Sequence, residues 1–94
     1  MIAFIAILDG SDDVWGVRVP DMPGCHGGGA TPESAIADAT SALRELAADG
    51  VAIRLPRALR DIVADPSVNF DPATEALVVL EIEAIGTPQA LANA

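Results

Sequence analysis

Residues 20–34 read PDMPGCHGGGATPES and hold the chain's only cysteine, Cys25, next to its only histidine, His26, with three glycines following. Three kinds of chemistry use such residues. A thiol beside an imidazole can form a nucleophile–base pair. Cys, His and a carboxylate can bind zinc. A glycine-rich turn leading into a helix can cradle phosphate. Each meets an obstacle in the sequence. Neighbouring residues on an extended chain point to opposite faces, so Cys25 and His26 are badly placed to hydrogen-bond to each other. No second histidine is available as a base or as a further zinc ligand, and Asp21, Cys25 and His26 make a poor three-ligand set. A Walker A loop requires a lysine, and this chain has none. In the dinucleotide pattern G-x-G-x-x-G, starting from Gly27 and Gly29, the third glycine falls on Pro32. Asp9, Asp12, Asp13 and Asp21 are candidates for Mg²⁺-dependent nuclease chemistry. They lie in turn-like stretches, where aspartate is favoured anyway, and the first strand carries no carboxylate in its middle. No catalytic residue, metal or cofactor is therefore expected. One alternative stays open: a small-molecule or anion-binding module using the glycine loop and the free N–H groups of a helix that starts at Thr31.

The elements around this stretch follow from periodicity. Residues 2–8, IAFIAIL, are apolar on both alternating sets, which predicts a central strand covered on both faces. DGSDD reads as a turn. VWGVRV over 14–19 alternates, with Trp15, Val17 and Val19 on one side, and completes a β-hairpin. CHGGGA predicts a short third strand weakened by glycine. Thr31 suits a helix N-cap and Pro32 the first helical position. Ser34 stands where a capping box has Glu or Gln, so an incomplete box is expected. The helix runs to about Asp49, with Gly50 as terminator and Ile36, Ala39, Leu43, Leu46 and Ala47 on its apolar stripe. VAIRLPRALRDIVADP predicts a short extended piece and one or two helical turns, with Leu59, Ile62 and Val63 packing inward. ALVVLEIEAI over 76–85 is the last strand. Val78, Leu80, Ile82 and Ala84 share one face, and Glu81 and Glu83 mark the other. The expected fold class is α+β: a mostly antiparallel, three- to four-stranded sheet with one main helix packed on one face.

Composition narrows the possible functions. The 94 residues suit one small domain, with an aliphatic core because Trp15, Phe4 and Phe70 are the only aromatics. Fourteen carboxylates against five arginines give a formal charge of −9. Binding nucleic acid unaided needs clustered cations and is disfavoured, whereas a basic protein partner is favoured. Asp38 and Glu45 on the helix, with Glu81 and Glu83 on the last strand, are the candidate partner contacts. A single cysteine forms no internal disulfide, which fits a reducing, cytoplasmic setting. No apolar run approaches the ~20 residues of a membrane span, and the start lacks the cationic region of a secretory signal.

Residues 14–50 resemble the core motif of HicB-type antitoxins. The motif appears as Pro20-Asp21-Met22-Pro23-Gly24-Cys25, then Gly29-Ala30-Thr31, then Glu33 opening an alanine-rich helix with Ala35, Ala39 and Ala42. Its structural signature comprises Pro20, Asp21, Pro23, Gly24, Cys25, Gly29 and Thr31. LPRALRDIVADP is similar to the family's L-P-x-P-S segment, with Arg57-Ala58 replacing the usual Pro-Ser. The resemblance implies a truncated ribonuclease H-like fold without nuclease activity. It implies an antitoxin that covers the active site of a HicA-type toxin, a small, basic, mRNA-cleaving ribonuclease. It also implies a homo-oligomer, dimer or tetramer. Residues 1–85 are expected to form the antitoxin domain. Residues 86–94 are expected to be a tail too short for the DNA-binding module many family members carry, so direct DNA binding is not expected.

Overall fold

A computed structural model describes residues 1–49 and 55–83. Their elements run β1 (Ile2–Ser11), β2 (Val14–Arg18), β3 (His26–Gly29), α1 (Pro32–Ala48), α2 (Leu59–Ala64), a 3₁₀ turn (Pro66–Val68) and β4 (Glu75–Ile82). All three strand pairings are antiparallel, and the sheet order is β3-β2-β1-β4. This is the expected α+β class, with one long helix on one face of a four-stranded sheet.

The central strand is β1. Ile2, Phe4, Ala6 and Leu8 point toward α1, where they meet Val17, Val19, Leu80, Ile82 and the helix residues Ala35, Ala39, Leu43 and Ala47. Alternation sends Ile5 and Ile7 to the opposite face. There Ile62, Val68, Phe70 and Leu77 form a second, smaller core around Ile7. Among the described residues, the second face is covered only at one end. Ile7, opposite Leu77, is 1% exposed, whereas Val79, opposite Ile5, is 55% exposed.

Local expectations fail in three informative places. Asp9, Gly10 and Ser11 continue β1 and pair with Gly16, Trp15 and Val14, so the turn shrinks to Asp12-Asp13. Cross-strand hydrogen bonds outweigh the turn preference of these residues. Asp12 takes the left-handed conformation (φ 55°) that aspartate tolerates, and its carbonyl accepts from Trp15 Nε1 at 3.0 Å. The capping box is complete, contrary to expectation. Ser34 N–H donates to Thr31 Oγ1, and Thr31 N–H donates to Ser34 Oγ, each at 3.0 Å. A serine hydroxyl reaches the cap as a glutamate would, since it needs only one acceptor lone pair. Finally, of the three residues expected to pack inward from α2, only Ile62 does so. Leu59 and Val63 are about half exposed, because a six-residue helix resting on a half-covered sheet buries one side only. The expected Gly50 terminator, the extended piece over 51–54, Ala84 and the tail lie outside the described residues.

Candidate functional site

Between β2 and β3 the chain makes a tight loop held by its own backbone. Met22 N–H donates to Val19 O at 3.1 Å, Cys25 N–H to Met22 O at 3.0 Å, and Val19 N–H to Cys25 O at 3.3 Å. Val19, Met22 and Cys25 are buried, and Gly24 supplies the positive φ (89°) that closes the loop. Cys25 Sγ lies 3.6 Å from Ala39 O, and burial pushes its thiol pKa up. A protonated, enclosed thiol is neither nucleophile nor metal ligand. His26 is exposed and faces away from Cys25. Gly27 lets α1 settle directly onto β3, since a Cβ there would overlap the Ala39 backbone.

The glycine loop is not an open cradle for an anion. Gly28 N–H already donates to Asp38 Oδ2 at 3.0 Å. At the start of α1, Ser34 N–H is bound by Thr31 Oγ1, Ala35 N–H by Thr31 O, and Pro32 has no N–H. Glu33 adds a negative charge to the same turn. Among the described residues no group of three His, Cys, Asp or Glu is arranged to hold a metal ion. Asp9 instead stands in a strand between Gly16 and Glu75.

Asp21, the acidic residue of the motif, has a specific partner. Its Oδ2 accepts from Arg57 N–H and its Oδ1 from Arg57 Nε, both at 2.7 Å. The same guanidinium reaches Asp65 Oδ2 at 2.9 Å, while Asp65 Oδ1 accepts from Ser67 N–H and Oγ. In the sequence Arg57 stands out only as a departure from the L-P-x-P-S pattern. Its pairing was invisible because the two residues are 36 positions apart.

This cluster has a signed consequence for pH. The Arg57 hydrogen bond, then those from Ser67, lower the Asp65 carboxyl from its ordinary 3.8 to about 2. A carboxylate with a depressed folded-state pKa stabilises the fold fully above its unfolded value. That contribution is lost as pH falls from 3.8 toward about 2. Urea midpoints of the wild type and Asp65→Asn should therefore differ at neutral pH and converge across this acid window. Curves that stay parallel would show that Asp65 makes no such contribution.

The four acidic candidate contacts do not gather in one place. Asp38 and Glu45 are two turns apart on one flank of α1, exposed, with Asp38 holding the β3 edge. Asp49, the C-cap of α1, continues that flank and is also exposed. Its spacing of four from Glu45 was the available signal. Glu83 lies near the other edge strand, where Arg44 Nε comes within 3.5 Å of Oε2. Glu81 points from β4 to the sheet face away from α1, opposite Ala3.

The chain belongs to the family of HicB-like antitoxins of bacterial toxin–antitoxin systems, which it matches over residues 4–93. That is a class of antitoxins rather than of enzymes. Among solved structures, the N-terminal domain of the Burkholderia pseudomallei antitoxin HicB is 30% identical. The match covers 86% of this chain and 100% of that one at a TM-score of 0.58. The B. pseudomallei antitoxin HicB is 24% identical over 97% of this chain and 67% of its own, at 0.67. A chain from a HicA3–HicB3 toxin–antitoxin complex is 19% identical over 87% and 99%, at 0.59. The latter two show likeness of fold alone. No curated protein matches the chain.

Proposed function

We propose that this protein neutralises a HicA-type, mRNA-cleaving ribonuclease toxin by binding it and covering its active site. The observation that carries the reading is membership of the HicB-like antitoxin family over nearly the whole chain. The formal charge of −9 supports it, since an acidic surface is drawn to the basic cleft an RNA-cleaving protein presents. So does the relative recorded in complex with HicA3. On this reading the protein acts in the cytoplasm, where its RNA-cleaving partner would work, and associates as a dimer or tetramer. Residues 1–85 carry the activity. Asp38 and Glu45 present the first charges to the toxin from the flank of α1, and Glu83 at the β4 edge and Glu81 on the opposite sheet face offer separate acidic contacts.

Coexpression with a small basic protein encoded by the adjacent gene tests this directly. The expected result is a co-purifying complex and rescue of growth arrested by that protein. Joint replacement Asp38→Lys and Glu45→Lys should slow association and weaken binding by about tenfold or more, with the loss shrinking at high salt. Failure to bind any neighbouring small basic protein would overturn the proposal.

A further inference from the structure

Residues 55–70 are attached to the rest of the molecule in an unusual way. They contribute Ile62, Val68 and Phe70 to the small second core. The remaining long apolar side chains, Leu55, Leu59 and Val63, are about half exposed and add little to that attachment. Among the described residues, two arginines supply the side-chain links. Arg18, projecting from β2, donates to Val68 O at 2.6 Å and Asn69 O at 3.2 Å, and meets Glu75 at 3.4 Å. Arg57 ties the opposite end to Asp21 in the β2–β3 loop and closes onto Asp65 within the segment itself. The second core encloses Ile7 and Ile62 fully but, among the described residues, has only three buried ones, against thirteen in the main core.

We propose that Asp21, Arg57 and Asp65 form a latch, and that residues 55–70 are a strap that opens as a unit ahead of the rest of the fold, uncovering Ile7 and its neighbours Ile5 and Leu77. Segments with few buried apolar side chains open at lower free energy than the core that carries them. A fork of charge-assisted hydrogen bonds is the strong, directional link in such a segment. Asp21 thereby becomes a positioning residue. The acidic position of the signature loop fixes a distant strap and takes no part in chemistry. Asn69, in the left-handed conformation (φ 56°), ends the 3₁₀ turn of the strap.

Native-state hydrogen exchange on the full chain reads this. The strap probes are the amides of Asp61, Ile62, Asp65 and Val68, each bonded within the strap. The core probes are Phe4 and Ala6 in β1 and Leu43 in α1. In the wild type, strap amides should share one opening whose urea dependence is clearly smaller than that of global unfolding, and core amides should exchange only through global unfolding. Arg57→Gln, and separately Asp21→Asn, should speed the strap amides by about tenfold while changing core amides far less. Arg44→Gln, which breaks the Arg44–Glu83 pair instead, should leave the strap amides unchanged. The proposal is overturned if wild-type strap and core amides share one urea-dependent opening. It is equally overturned if the latch variants speed both sets alike, or neither.

Discussion

Replacing Gly27 with alanine will destabilise the protein by on the order of 3 kcal/mol or more, a large part of what holds a domain of this size together. The reason is steric. A Cβ at residue 27 would lie 2.6 Å from Ala39 Cα and 2.7 Å from Ala35 O, and would overlap Ala39 N. These are backbone atoms of α1, so no rotamer change relieves the contact. The helix must lift from β3, and the core loses contacts around Ala35 and Ala39, both fully buried. Gly28→Ala is the internal control. Its Cβ would sit 3.4 Å from Trp15 O, an ordinary contact, and its N–H bond to Asp38 would survive. Thermal unfolding followed by circular dichroism compares the two. A midpoint for Gly27→Ala within about 2 °C of wild type would contradict the close approach of helix and strand.

Phe4→Ala should cost about 3–5 kcal/mol. Phe4 is the one aromatic side chain buried completely among the described residues, and it stands third in β1, packed in the core beneath α1. The helix above it presents mainly alanines, Ala35, Ala39 and Ala47, with Leu43 the one large side chain among its buried residues. Short side chains cannot swing into the cavity that phenylalanine leaves, so the site collapses poorly and the cost falls at the upper end of the usual range. Val14→Ala, at a position 72% exposed, should shift stability by less than about 0.5 kcal/mol. Urea unfolding of both variants measures the difference. A Phe4→Ala midpoint equal to that of Val14→Ala would show that the main core does not centre on Phe4.

The order of elements was legible from sequence because each carries its own signal. Alternation marked β2 and β4, a doubly apolar run marked β1, and Thr31-Pro32 marked the helix start. The outcome for Cys25 and His26 was legible as well, since opposite pointing follows from extended backbone alone. The capping box is not legible from residue type, because one well-placed hydroxyl does what a glutamate does. Charge and element alone group the four acidic candidates together. Only their three-dimensional positions separate the α1 flank, with Asp38, Glu45 and Asp49, from Glu81 on the opposite face of the sheet.

The sequence alone determined that this is a small acidic α+β domain, that its cysteine–histidine pair is badly placed for catalysis, and that its signature loop is a HicB-like one. Those conclusions rest on composition, period and short-range spacing, which act within a few residues. The tertiary structure decided that Gly27 is a contact surface for α1, that the Gly28 and Ser34 N–H groups are already taken, and that Asp21 binds Arg57. Those facts depend on which segments meet across 10 to 36 residues of chain, and that is set by packing of the whole core rather than by local preference.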